Sequence, residues 1–359
     1  MAAPRGSKAI RVLVVDDSVV ARDMLAHLLA SDPEIEIAGT AANGQEAVES
    51  VARLHPDLVT MDIHMPAMDG LEATERIMAY TPTPIMVVSS SVYGEGMGSA
   101  FDALSLGALE VVRKPELVDR KGFESARKEL VRSAKILSRV KVVTHLGGRR
   151  ASPRRRRDRS SGAVALRPAR RGPVSLVAIG SSTGGPAALL SILGRLPGHF
   201  PAPLVVTQHI ADGFVPGLVN WLDEGCTISV VAATDGMPIE PGAAYFAATG
   251  INMEVDGDVV RFTPPRPEQL YVPSADTLFA SVAGSRGANT AGVLLTGMGA
   301  DGATGLAAMR DAGAATIAQD EATSRIFGMP KAAIDAGAAD VILAVDEIAD
   351  ELVRLTEMR

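Results

Sequence analysis

Residues 149–171 hold ten arginines and one aspartate. No packed core accepts such a run. A guanidinium stays charged at any working pH, and arginine is almost never fully buried unless paired. Whatever folds must therefore fold on either side of this segment. The chain has 359 residues, enough for two domains that each bury a core. We place the first at 8–143 and the second at 174–359. Between them, 144–173 is rich in Arg, Gly, Pro and Ser without apolar periodicity, and is expected to be a disordered linker. It reads as a solvated tether or as an electrostatic strip for an acidic partner, nucleic acid or an anionic membrane surface. The whole chain carries −7 and the arginine run +9, so the remainder carries −16.

On both sides of the linker, short apolar runs alternate with helical periods. Before it, strands are expected at Arg11–Val15, Ile35–Thr40, Leu58–Met61, Ile85–Ser89 and Val111–Arg113. Helices are expected at Val19–Ala30, Gly44–Leu54, Gly70–Tyr80, Gly98–Leu106 and Gly122–Val142. After it come strands at Val174–Gly180, Leu204–Gln208, Ile228–Val231, Ala244–Ala247 and Gly292–Thr296, with a β excursion over 243–262. Helices are expected there at Pro186–Leu193, Phe214–Leu222, Thr277–Val282, Thr304–Ala312 and Lys331–Ala336. Such alternation builds a parallel sheet covered on both faces, so the class is α/β in both halves.

In the first half, VLVVDDS ends a strand with Asp16 and Asp17, LVTMDIHMP with Asp62, PIMVVSS with Ser89 and EVVRKP with Lys114. Ligands of open parallel sheets bind beyond the carboxyl ends of the strands, so these side chains converge. Three crowded carboxylates repel one another, and Mg²⁺ relieves that while bringing phosphate oxygens. A carboxylate beside the metal is a nucleophile for a phosphoryl group. An acidic pair after a strand also serves as a helix cap, and Lys-Pro as a plain loop; the ordered set makes chance a poor account.

Residues 11–137 resemble a response-regulator receiver on VVDDS, MDIHMPAMDG, VVSS and RKP. The resemblance implies a flavodoxin-like (βα)₅ fold with Asp62 as phosphoacceptor. It implies Mg²⁺ held by Asp16, Asp17, Asp62 and the His64 carbonyl, and Ser89 with Lys114 as the switch pair. Receivers often carry an aromatic residue three positions before the lysine; here it is Val111, so no large ring is available to switch.

In the second half, AIGSSTGGP carries the end of a strand into a turn. Alone it permits a nucleophile, a phosphate loop or a tight turn. The G-x-S-x-G frame selects Ser182 over Ser181 as a nucleophile on a sharp strand-to-helix turn. A serine needs a base. Of six histidines, only His199 and His209 follow the linker, and His209 sits at a strand's carboxyl end. Asp301, in TGMGADGATG, is a candidate orienter or a helix cap, with Asp320 the weaker competitor. Thr183 is placed to hold His209 or line the site, and amides near Met298 and at the helix start to stabilise an oxyanion.

AIGSSTGGP, TQHI, IEPGAAYFAATG, PSADTLFASVA, LLTGMGADGATGLAAM and QDEATSRIFGMPKAA follow one another as in the CheB family of chemotaxis protein-glutamate methylesterases. The resemblance implies a doubly wound, mostly parallel methylesterase domain with a Ser182–His209–Asp301 triad, and Thr183 and the Met298 amide near the site. It implies hydrolysis of glutamate γ-methyl esters, with glutamine deamidation, on chemoreceptors. A chemotaxis histidine kinase would supply phosphate to a receiver that otherwise packs over the active-site face. No cofactor is implied for the catalytic domain. Two departures stand out. Asn252 replaces a histidine common in the family and Val272 an arginine, both placed at the border of the substrate face.

Other classes fit less well. A DNA-binding output would need a helix-turn-helix, and none is visible, so nucleic acid is not an expected partner. A non-catalytic scaffold would not need the intact triad. The single Cys226 allows no intrachain disulfide, and the N-terminus shows no apolar leader. A cytoplasmic protein without membrane insertion is expected.

Overall fold

Alternating residues of one strand, Val12 and Val14 against Leu13 and Val15, enter two different apolar clusters. That is the signature of a strand buried on both faces. The structure, a computed structural model, describes residues 9–89, 97–115, 120–140, 142 and 172–357. The expected linker lies outside the described residues except for Gly172 and Pro173.

The first half runs β1 (Ile10–Val15), α1 (Val19–Ala30), β2 (Ile35–Ala41), α2 (Gly44–Leu54), β3 (Leu58–Met61), α3 (Gly70–Tyr80), β4 (Ile85–Ser89), α4 (Met97–Ser105), β5 (Glu110–Arg113) and α5 (Arg120–Leu137). Its five strands form a parallel sheet in the order β2-β1-β3-β4-β5. Leu25, Leu28 and Leu29 of α1 and Leu130 and Ala134 of α5 cover one face. Ala47, Ile77 and Phe101, from α2, α3 and α4, cover the other. Ser18 caps α1, accepting from the Ala21 amide, so Asp16 and Asp17 are not its capping residues.

The second half runs β6 (Leu176–Ser181), α6 (Gly185–Leu193), β7 (Leu204–Gln208), α7 (Val215–Gly225), β8 (Ser229–Ala232), β9 (Ala243–Phe246), β10 (Asn252–Asp256), β11 (Val259–Thr263), α8 (Ala275–Arg286), β12 (Thr290–Leu294), α9 (Ala303–Asp311), β13 (Ala315–Gln319), α10 (Met329–Asp335), β14 (Val341–Leu343) and α11 (Val345–Glu357). Seven strands form a parallel sheet in the order β14-β13-β12-β6-β7-β9-β8. The expected β excursion resolves into β9 in this sheet and an antiparallel hairpin, β10 with β11. Helices α8, α9 and α10 bury one face, and α6, α7 and α11 the other.

The sequence pattern gave no bounds for β13, the strand ahead of Asp320, and missed β14 and α11. An edge strand of three partly exposed residues is too short to show a period. The two halves also share packing. The Phe101 ring of α4 meets Phe214 edge-on at 6.3 Å and lies 5.9 Å from Trp221 of α7. Among the described residues no helix is long and apolar enough to cross a membrane.

Candidate active site

In the second sheet β6 is flanked by β7 on one side and β12 on the other. The chain crosses over in opposite directions there, which opens a crevice at the strands' carboxyl ends. Ser182 follows β6, His209 follows β7, and Asp301 lies in the loop after β12. Three segments far apart in sequence thus meet at one switch point.

The turn between β6 and α6 separates its two serines. Ser181 is fully buried, and its Oγ donates to Gln208 Oε1 at 2.6 Å. Gln208 Nε2 in turn donates to the carbonyls of Ser182, at 2.9 Å, and His209, at 2.7 Å. Gln208 ties the two turns together, and Ser181 is committed to that tie. Gly184 turns the chain with φ +78°, which L side chains rarely adopt. A Cβ at Gly185 would stand 2.0 Å from Gln208 Oε1. The Ser182 amide donates to Thr296 O at 3.0 Å, so it does not point at a ligand.

His209 Nε2 lies 2.8 Å from Asp301 Oδ2. Nδ1 is buried and has no hydrogen-bond partner among the described residues. Asp301 does not cap α9; Gly302 occupies that position. Instead its carboxylate collects the Ser274 hydroxyl at 2.8 Å and the Ala275 and Asp276 amides at 2.7 and 3.2 Å. Those amides open α8, where a helix favours negative charge. Burial alone would raise the Asp301 pKa; the His209 hydrogen bond and charge, with the Ala275 amide and Ser274 hydroxyl, outweigh it and hold the carboxyl below its ordinary value. His199 is exposed on its loop, and Asp320 accepts from the amide and hydroxyl of Thr323, so neither joins this set.

A cavity of about 430 Å³ opens over these groups, lined by Ser182, Thr183, His209, Tyr271 and Met298 and, from the first half, by Glu110 and Arg132. Thr183 does not hold His209, as sequence allowed. Its hydroxyl donates to Glu110 Oε1 of β5 at 3.1 Å. Glu110 Oε2 is buried without a hydrogen-bond partner among the described residues. Burial pushes the Glu110 pKa up to about 7, and the Glu129 charge adds to this against the Thr183 and Ser133 hydroxyls and Arg132. Arg132 of α5 donates to Tyr271 Oη at 2.8 Å and lies 3.2 Å, through Nε, from Met298 Sδ.

Of the two departures, Val272 lines the cavity as expected. Asn252 does not face it: it is buried, accepts from the Ser274 amide at 3.0 Å and donates to Gln269 at 2.8 Å. It braces the loop that holds Asp301.

In the first half, Asp16, Asp17 and Asp62 bring one carboxylate oxygen each to within 4.8 Å of one another. Asp16 and Asp62 are buried and Asp17 is exposed. Lys114 Nζ lies 2.7 Å from Asp16 Oδ2 and 3.0 Å from Asp62 Oδ2. Burial, with the Asp16 charge, raises the Asp62 pKa despite Lys114. Ser89 is buried at the end of the neighbouring strand β4, and His64 is exposed in the loop after Asp62. Hard oxygen donors, three negative charges and one ammonium suit a small divalent cation. Gly70 allows this loop to close, since a Cβ there would stand 2.0 Å from the Asp62 carbonyl.

Gln208, Ser274 and Tyr271 escaped sequence reasoning. Gln208 at a strand end and Ser274 before a helix carried positional signals; Tyr271 carried none.

Residues 177–352 match the family model described as CheB methylesterase, and residues 12–121 the response regulator receiver domain. A protein-glutamate methylesterase/protein-glutamine glutaminase of Anaeromyxobacter dehalogenans is 45% identical over 98% of both chains. One from Syntrophus aciditrophicus is 42% identical over 96% of this chain and 98% of its own. The Thermotoga maritima CheB methylesterase catalytic domain, a solved structure, aligns with 51% of this chain and 98% of its own at 35% identity and a TM-score of 0.49.

Proposed function

The chain belongs to the CheB methylesterase family, with a receiver domain ahead of the catalytic one, and we propose that it is a phosphorylation-activated serine hydrolase acting on chemoreceptors. It removes methanol from glutamate γ-methyl esters and ammonia from glutamine side chains. The observation that carries this reading is Asp301, a carboxylate held by two amides and a hydroxyl and bonded to a strand-end histidine that lines the same cavity as Ser182.

Ser182 Oγ attacks the side-chain carbonyl while His209 takes its proton. Nε2 is occupied by Asp301, so Nδ1 is the nitrogen left for the serine. Asp301 fixes the ring and stabilises the imidazolium. Amides around Thr183 and Met298 are the proposed oxyanion donors. His209 returns the proton to the leaving methanol or ammonia. Water, deprotonated by the same base, then releases glutamate from Ser182.

In the receiver, Asp62 is the proposed phosphoacceptor, Ser89 and Lys114 the switch pair, and Asp16, Asp17, Asp62 and the His64 carbonyl the holders of Mg²⁺. The ion supplies charge neutralisation for phosphoryl transfer. A chemotaxis histidine kinase is the proposed phosphodonor and the cytoplasm the proposed location. The Arg132 and Glu110 contacts support a receiver that restrains the site until it is phosphorylated. The linker at 144–173 tethers the two domains and offers its charge to an acidic partner.

Ser182→Ala should abolish methanol release from methylated receptor, while Ser181→Ala should lose far less. Normal turnover by Ser182→Ala would sink the mechanism.

A further inference from the structure

The triad leaves one problem open. Asp301 holds His209 through a single ring nitrogen, Nε2. One hydrogen bond fixes a point on the ring and leaves its plane free to tilt. A base must meet its proton within about 3 Å and in line, and small misplacements are costly.

Tyr271 addresses that problem. Its ring lies flat on the imidazole, with centroids 4.6 Å apart and planes 4° from parallel. The loop that carries it is anchored three residues later, where Ser274 binds Asp301 and Asn252 holds the Ser274 amide. The segment that fixes the orienting carboxylate therefore also presents the face against which the base rests. Gly299 gives the phenol room, since a Cβ there would stand 2.7 Å from Tyr271 Oη.

Building on the Ser182–His209–Asp301 reading, we propose that Tyr271 is a positioning residue for His209, setting the plane of the imidazole. The chemical reason is the charge that appears during attack. When Ser182 gives up its proton, the imidazole becomes a cation stacked on an electron-rich ring. Such contacts are attractive, and more so when desolvated. Asp301 stabilises the same charge from the ring edge. Arg132 is the opposing cation, 5.8 Å from the Tyr271 ring centroid, and it comes from the receiver.

The ring and the hydroxyl have separate tasks. The ring supports the base, and the hydroxyl is where the receiver's Arg132 takes hold. A leucine removes the aromatic face and a phenylalanine keeps it. The test uses the full chain with saturating phosphodonor and Mg²⁺, following methanol release from a methylated chemoreceptor fragment. Tyr271→Leu should lower kcat about 10-fold with KM nearly unchanged. Tyr271→Phe should recover most of kcat. Ser182 labelling by a serine-reactive phosphonate, run on every variant, keeps two failures apart. If Ser182 labels and Tyr271→Leu matches the parent in kcat, the positioning role is overturned and the triad stands. The role is also overturned if Phe falls as far as Leu. If the parent never labels and Ser182→Ala stays active, the triad reading falls and this inference with it. A melting curve shows whether Leu is folded. Should it not be, the role rests on Tyr271→Phe, and at least half the parental kcat with the parental KM is required.

Discussion

Replacing Glu110 by glutamine should disconnect receiver docking from pH. The carboxyl sits at the seam between β5 and the β6–α6 turn, accepting from Thr183 and facing Ser133, Glu129 and Arg132. In the docked arrangement its pKa stands at about 7, against 4.5 for the free group. At about 1.4 kcal/mol per pH unit, that difference corresponds to about 3 kcal/mol between docking the neutral and the ionised acid. The sign follows from linkage. Below 4.5 the group is protonated whether docked or free, and docking is at its strongest. Between 4.5 and 7 undocking releases a proton, so docking weakens as pH rises; above 7 it levels off. The docking constant should fall about 10-fold between pH 6 and pH 8, where the separated carboxyl is ionised throughout. The assay is methanol release without phosphodonor, divided at each pH by the rate with saturating phosphodonor. The ratio removes the titration of the hydrolytic groups themselves. It should rise about 10-fold from pH 6 to 8 in the parent and stay flat in Glu110→Gln, whose amide oxygen still accepts from Thr183. An equal rise in both proteins, or a flat parent, would refute the reasoning.

Asp301→Asn should reduce kcat on the order of 10⁴-fold, because the amide no longer stabilises the imidazolium or fixes its tautomer; stopped assays of methanol release would show this, with folding checked by circular dichroism. Asp62→Asn, or chelation of Mg²⁺ in the parent, should remove stimulation by a small phosphodonor and leave the unstimulated rate within about 2-fold, since neither touches the hydrolytic groups; stimulation that survives both treatments would separate phosphorylation from control.

The α/β alternation was legible because most strands of the two parallel sheets are short, largely apolar runs bounded by polar turn residues. The site was legible where a residue's position alone exposes it: Ser182 in its glycine frame, His209 and Asp301 beyond strand ends. What stayed hidden depends on contacts between distant segments. Asp301 reads equally well as a helix cap, and only the arrival of the α8 amides shows otherwise. Glu110 is an ordinary polar residue at the start of a strand until Thr183 closes over it. Asn252 looked like a surface departure and is a buried brace for Ser274. Tyr271 belongs to a loop with no period, so nothing local marks its ring as a partner for an imidazole 62 positions earlier.

Helix α4 has two loyalties. Phe101 fills the receiver's apolar interior and also meets Phe214 and Trp221 of α7, within one continuous cluster. Calorimetrically, the two domains are then not separate melting units. Heat that loosens the receiver exposes apolar surface on the hydrolase, so the pair should unfold as a single endotherm while docked. Where phosphorylation parts them, as proposed above, each domain should lose the other's contribution and stand on its own core, and two transitions should replace one. Activation, in this sense, costs the enzyme part of its heat tolerance.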